Sequence, residues 1–338
     1  MPERNSQGEP GIPRIDVGPL VADRGDPVRA ARAIDQACRD TGFFSIVNHG
    51  IEAELRQRLE REARTFFALD GAEKAEIAMT HGGRAWRGWF PVGGELTSGV
   101  PDRKEGIYFG TELPATDPRV QAGLPLHGAN QFPRRPAGLR GAVLEYIDAV
   151  RVLSASVLRG IALGLGLDGD WFERELTRDP VILFRIFHYP PATEPAHWEA
   201  WGVGEHTDYG LLTVLLQDAT GGLEVRTPEG WIDVPADPDA FVCNVGDMLE
   251  RMTGGRYRST PHRAKNPGPQ GRLSFPFFFD PGWDAEVRPV PDVATGGRVD
   301  TAPPRWDGAD VLELRGTYGE YLLTKVGRVF PDLRDDVF

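Results

Sequence analysis

The second half of the chain most restricts what it can fold into. From residue 180 onward, six short runs of strand-forming residues occur at 181–189, 209–216, 223–226, 231–234, 241–244 and 273–279. Between them stand Pro190-Pro191, Gly221-Gly222, Pro228-Glu229-Gly230 and Pro267-Gly268-Pro269, which favour turns and break a hydrogen-bonded ladder. Many short strands with turn signals between them predict an antiparallel sandwich or jelly roll. The first half has a different period. Apolar residues recur every three or four positions over 28–39, 52–68 and 137–164, which predicts amphipathic helices. The third, with Leu139, Val143, Tyr146, Ile147, Val150, Leu153, Val157 and Ile161 on one face, is expected to be the spine against which the sheet packs. Gly42 can cap the first helix before a strand at 43–47, and a last helix is expected around 318–329. Residues 1–11 read as a tail, 114–135 as a Pro-rich connector and 290–310 as a Pro/Gly/Asp-rich stretch. The Gly-, Trp- and Arg-rich segment 79–110 reads as a surface loop stapled to the core by its aromatics.

Composition narrows the class of partner. A chain of 338 residues has ample length to bury a core, and 40% apolar with 26% charged residues is ordinary globular usage. With 38 basic against 50 acidic residues, the net charge of -12 argues against nucleic acid or an anionic membrane as the main partner. No run of 18 apolar residues suggests a membrane span, and the first residues lack the apolar core of a signal peptide. Cys38 and Cys243 are too few for a disulfide framework and too far apart for a thiolate zinc motif. These features predict a cytoplasmic protein that takes a small-molecule substrate, as a monomer or weak homo-oligomer.

Chemistry concentrates at His206-Thr207-Asp208. Side chains two residues apart on a strand leave the same face, so His206 and Asp208 are expected to point at one ion, with Glu205 and Thr207 facing away. A β-bulge could redirect Glu205 towards the site. His262, between two strand-like runs, offers a third ligand. Two imidazoles and a carboxylate fill one triangular face of an octahedral ion and leave three positions open, an arrangement typical of non-haem Fe(II). The same set can hold zinc, so these ligands alone do not decide the metal. Arg272 lies on an apolar strand where an unpaired guanidinium is costly to bury. Its planar fork matches a carboxylate, Ser274 shares its face, and the alternative is an internal ion pair. His49, at a strand end before Gly50, reads as a hydrogen-bonded structural residue.

In order along the chain, Ile12-Pro13-Arg14-Ile15-Asp16, the segment 42–50 (GFFSIVNHG), the segment 94–102 (GELTSGVPD), His206-x-Asp208, His262 and Arg272-x-Ser274 resemble the iron(II) and 2-oxoglutarate-dependent dioxygenase superfamily, in its isopenicillin N synthase-like branch. The resemblance runs over most of the chain. It implies an α+β fold: a double-stranded β-helix (jelly roll) core at 176–290, a helical and strand region at 1–175 packed on it, and a C-terminal extension with a helix at 291–338, together one compact unit. It implies Fe(II) on His206, Asp208 and His262, with 2-oxoglutarate as co-substrate and O2 as oxidant. Arg272 and Ser274, with Tyr189, would hold the distal carboxylate of 2-oxoglutarate. Its decarboxylation to succinate would be coupled to hydroxylation or desaturation of a small polar molecule. In that family 79–110 borders the substrate pocket, which brings forward Glu95, Thr97 and Tyr108, while Asn244 reads as structural or as supporting the ligands. Arg185, Tyr209, Phe278 and Arg328 complete the substrate set. Glu95, Thr97, Arg185, Tyr209 and Arg328 also resemble positions in the bacterial ethylene-forming enzyme, so ethylene formation with an amino-acid co-substrate is an alternative. An oxidase that omits 2-oxoglutarate is another, against which Arg272 and Ser274 stand, and a non-catalytic metal-binding jelly roll is the third. Glu205 departs from the small residue usual before the first ligand.

Overall fold

The structure is a computed structural model that describes residues 11–22, 25–97, 99–191, 201–291 and 316–330. The expected tail at 1–11, except Gly11, and most of the stretch 290–310 lie outside these residues. Twelve strands form two sheets among the described residues. The larger contains β1 (Arg14–Asp16), β2 (Phe43–Val47), β10 (Phe241–Val245), β7 (Leu212–Gln217), β12 (Arg272–Asp280), β5 (Val181–Tyr189), β4 (Glu105–Gly110) and β3 (Gly88–Phe90), in that spatial order. The smaller has the order β6 (Val203–His206), β11 (His262–Ala264), β8 (Leu223–Thr227), β9 (Gly230–Val234). Only the β1–β2 pair is parallel.

The large sheet serves two surroundings through the two-residue period of its strands. On β5 and β12, Ile182, Phe184, Ile186, Leu273, Phe275, Phe277 and Phe279 are buried in the main core. That core includes the 26-residue helix Leu139–Gly164, whose Tyr146 ring lies 5.0 Å from the ring of Phe184. The intervening residues, Leu183, Arg185, Phe187 and Tyr189 on β5 and Arg272, Ser274, Pro276, Phe278 and Asp280 on β12, line a cavity between the sheets. One face is therefore hydrocarbon and the other carries the chemistry.

Local signals account for the helix ends. The helix Pro27–Asp40 starts with Pro27 at its first position, and Asp26 accepts hydrogen bonds from the amides of Val28 and Arg29. The helix Tyr318–Val329 begins with a reciprocal cap between Thr317 and Glu320.

Three parts of the sequence fold otherwise than their pattern suggests. The run expected to begin at Tyr209 becomes strand only at Leu212, because the main chain at Asp208, Tyr209, Gly210 and Leu211 accepts bonds from the segment Gly246–Met248. The 79–110 segment is no surface loop throughout: β3 and β4 extend the large sheet, and Trp86, Arg87, Trp89 and Phe90 are buried. Strands β1, β6 and β11 and the helix Asp247–Met252 are too short for periodicity to announce.

Gly42 does more than end a helix. At φ 68° its Cα faces the chain leading to His262, and a Cβ there would collide with the Arg258 carbonyl oxygen. Gly42→Ala is expected to lower unfolding stability by about 2 kcal/mol or more in urea titration, since it combines a left-handed backbone with overpacking.

Candidate active site

His206 is the last residue of β6 and His262 the first of β11, and the two are direct cross-strand partners. Their rings stand 4.2 Å apart between centroids. Each ring is oriented by its own backbone: the Nδ1 of His206 lies 2.9 Å from the Gly204 carbonyl oxygen, and that of His262 lies 3.2 Å from the Thr260 carbonyl oxygen. With Nδ1–H donating, both Nε2 lone pairs are directed elsewhere. They converge on Asp208, whose Oδ1 is 3.9 Å from Nε2 of His206 and 3.7 Å from Nε2 of His262.

The expectation that His206 and Asp208 share a strand is corrected here, although the convergence it predicted is real. Asp208 follows the end of β6, and its carboxylate is brought round by the turn into β7 rather than by strand alternation. Thr213 and Asn244, a cross-strand pair on β7 and β10, both donate to Asp208 Oδ2, at 2.6 and 2.7 Å. That leaves Oδ1 facing the imidazoles. Asn244 thus supports a ligand, and Thr213 does so unforeseen. Glu205 pairs with Arg226 at 2.8 Å, away from the site, even though the β6–β11 register does shift.

Electrostatics suit a cation. Burial, with the neighbouring His262, pushes the His206 imidazole down to about 3, so it is neutral at physiological pH. Burial alone would raise Asp208, but His262, His206 and the donors Asn244 and Thr213 hold it below the usual carboxylate range. His206, Asp208 and His262 are the one group of three or more ligand-type side chains close enough to share an ion among the described residues. His49, by contrast, accepts the Ile51 amide through Nδ1 and meets Phe241 edge-on, a packed structural residue.

Arg272 is 1% exposed, directly opposite Tyr189 in the sheet, with its guanidinium 4.6 Å from that ring's centre. Nε donates to the Gly221 carbonyl and Nη2 lies 3.4 Å from Gln217 Oε1. Nη1 is buried without a hydrogen-bond partner, and no carboxylate of the described residues pairs with this cation. An orphaned guanidinium N–H beside Ser274 is what a carboxylate ligand would satisfy.

The remaining candidates divide. Glu95, Thr97, Tyr108, Arg185, Tyr209 and Phe278 all line the cavity. Arg328 does not: it is exposed, and its helix contributes Leu322, Val326 and Val329 instead. Arg185 lies 3.4 Å over the Tyr108 ring, its cross-strand partner, and donates to the carbonyls of Phe109 and Phe184. Tyr108 donates to Glu95, which pairs at 2.9 Å with Lys104. Lys104, missed in the sequence, is 1% exposed and also held by Asp102. Its signal lies in the spacing: Lys104, just ahead of β4, is in two-residue alternation with Tyr108, and both line the cavity, where a charge beside apolar strand residues is out of place.

Two family models match the chain. Residues 12–135 match the one described as non-haem dioxygenase in morphine synthesis N-terminal, and residues 180–281 match the 2OG-Fe(II) oxygenase superfamily. A "Probable iron/ascorbate oxidoreductase" of Dictyostelium discoideum is 43% identical over 350 residues, covering 96% of each chain. The chain belongs to the 2OG-Fe(II) oxygenase superfamily. Other members include a 1-aminocyclopropane-1-carboxylate oxidase of Dictyostelium discoideum, 36% identical over 95% of each chain. A homoarginine-6-hydroxylase of Glycine max is 36% identical over 95% of this chain and 98% of its own. Among solved structures, a full-length Neurospora crassa protein in complex with alpha-KG superposes with a TM-score of 0.75 at 25% identity, over 94% of this chain and 96% of its own. The jelly-roll fold and Fe(II)- and 2-oxoglutarate-dependent oxygenase activity follow from this membership. The donor set fits both groups, with two imidazoles, one carboxylate oxygen and one orphaned guanidinium facing a common cavity.

Asp280 at the end of β12 gives a pH signature. Burial pushes its carboxyl up to about 7, against donors from Tyr318 and the Leu211 amide. A raised carboxyl keeps its proton longer in the folded chain, so its stabilising share is full below about pH 3.8 and is lost as pH rises to about 7. Wild type is therefore expected to lose more of its urea midpoint than Asp280→Asn over that window; parallel losses would contradict the assignment.

Proposed function

We propose that this oxygenase hydroxylates a small amino acid, with Fe(II) on His206, Asp208 and His262 and the distal carboxylate of 2-oxoglutarate on Arg272 and Ser274 beside Tyr189. The observation that carries the co-substrate assignment is the buried Arg272 Nη1 without a partner. When bound, Fe(II) supplies the activation of O2 that drives decarboxylation of 2-oxoglutarate and oxidation of a substrate C–H bond. The chain's own part is positional. Thr213 and Asn244 fix the carboxylate of Asp208, the Gly204 and Thr260 carbonyls fix the imidazoles, and the apolar wall of Phe187, Phe278, Leu322 and Val326 excludes water.

An amino-acid substrate is supported by the charges on the cavity wall. Glu95, with Tyr108 and Lys104 around it, offers a carboxylate for a cationic group, and Arg185, without a carboxylate ion pair among the described residues, offers a guanidinium for an anionic one. The relatives named for homoarginine and for 1-aminocyclopropane-1-carboxylate both act on amino acids by name, and they lend the class further weight. Two buried, unpaired thiols, Cys38 and Cys243, support residence in a reducing compartment such as the cytoplasm, and no described helix is long and apolar enough to cross a membrane.

The test is succinate release across a panel of amino acids, with His206→Ala as the blank. Substrate-triggered succinate with a hydroxylated product is expected; turnover without succinate would favour the oxidase reading. Arg272→Gln is expected to weaken 2-oxoglutarate binding roughly 10- to 100-fold while leaving Fe(II) binding unchanged. Arg185→Ala is expected to raise the KM of the amino acid without changing that of 2-oxoglutarate, and unchanged kinetics on every substrate would remove Arg185 from the role.

A further inference from the structure

One buried carboxylate outside the ligand set joins both ligand segments to the helix that walls the substrate cavity. Asp247 is fully buried at the start of the helix Asp247–Met252. Its amide donates to the Asp208 carbonyl oxygen at 2.8 Å. Its Oδ1 accepts from Ser259 Oγ at 2.7 Å, three residues before His262. Its Oδ2 accepts from Tyr321 Oη at 3.1 Å and lies 3.8 Å from Lys325 Nζ. Tyr321 and Lys325 belong to the terminal helix Tyr318–Val329, and Lys325 also covers the ring of Tyr209, the residue after Asp208, at 5.3 Å. The same helix presents Leu322, Val326 and Val329 to the cavity.

We propose that Asp247 is a positioning residue that couples the seating of the terminal helix to the geometry of the metal ligands. The inference rests on the three-ligand assignment above. A wholly buried carboxylate is costly to leave without its hydrogen-bond donors, and Asp247 takes one at each oxygen, so it ties the positions of Ser259 and Tyr321 together. Moving the helix withdraws the Tyr321 hydroxyl and the Lys325 charge from Oδ2, and the disturbance reaches Asp208 through its main chain and His262 through Ser259. Linkage then requires the reverse: filling the metal site must steady the helix. An apolar substrate wall and a metal centre so joined let occupancy of one be felt at the other.

The test uses the whole chain under anaerobic conditions with 2-oxoglutarate present. Fe(II) affinity is taken from the visible absorption of the ternary complex, and hydrogen exchange of residues 318–329 is followed by mass spectrometry with and without Fe(II). In wild type, Fe(II) is expected to slow exchange in this helix. Asp247→Asn keeps the shape but cannot accept at both oxygens, and Tyr321→Phe removes one hydroxyl and spares the fold if the first variant is unstable. Each is expected to weaken Fe(II) binding about 10-fold and to abolish the Fe(II)-dependent protection of the helix, with the double variant no worse than the poorer single one. A packing role alone would lower the melting temperature and leave the protection intact. Protection that is absent in wild type, or that survives in Tyr321→Phe, overturns the coupling while leaving the ligand assignment standing. A wild type that binds no Fe(II) overturns both.

Discussion

Alternation along β12 is the constraint from which the site follows. The strand lies between β7 and β5, so it cannot shift by one residue without losing pairing on both sides and turning Phe275, Phe277 and Phe279 out of the core. Burying those phenyl rings against the layer that contains the long helix fixes the register, and the register in turn fixes Arg272, Ser274 and Asp280 on the cavity face. The hydrophobic effect thus sets the position of a cation it would otherwise exclude. A guanidinium 1% exposed with one NH2 group unsatisfied is expensive, and the core packing behind it holds it there.

Charge in the cavity is arranged in two zones of different character. Around the ligand set, Asp208 is the sole carboxylate in the ligand group, and each of its partners fixes an oxygen rather than neutralising it. On the β4 side, Lys104 stands between Glu95 and Asp102, and these neighbours hold its ammonium above its ordinary range despite complete burial. Tyr108 is pushed up by burial and by Glu95, so its phenol stays protonated and remains a donor. The first zone is open to a cation; the second already carries both signs.

Much of this was legible in the residues, and the failures have physical causes. The long helix follows its periodicity closely because burial of one face enforces it, and strands 43–47 and 181–189 coincide with short continuous apolar runs, the second buried on both faces. The ligand trio is legible in the spacing, although strand alternation is not what brings it together. His206 and Asp208 do point at one place, but through a turn held by the amide of Asp247, an interaction between segments far apart in sequence that no local pattern encodes. The pattern of segment 79–110 misleads for a related reason: Gly88, Gly106 and Gly110 weaken the strand signal, yet each lies where a Cβ would strike a neighbouring segment, so glycine there marks close packing rather than a loop. Pro276 was a clue of the same kind. Proline in a central strand withholds a ladder donor, and the β5–β12 pairing lapses opposite Arg185, on the face where the chemistry lies.

The terminal helix shows how little sequence is needed to tie a cavity wall to its floor. Its first residue, Tyr318, donates to Asp280, and Asp280 in turn accepts the Leu211 amide three residues beyond Asp208. Gly210 makes this possible, since a Cβ there would collide with Asp280 Oδ1. Tyr321, one turn later, reaches Asp247. Two phenols spaced to share a helix face thus meet two carboxylates that flank the Asp208 turn, and Leu322, Val326 and Val329 of the same helix face the cavity. A helix fastened only by hydrocarbon could slide along the cavity wall; one fastened by two buried hydroxyl–carboxylate bonds has a single seat, because any other leaves buried polar oxygens without their donors.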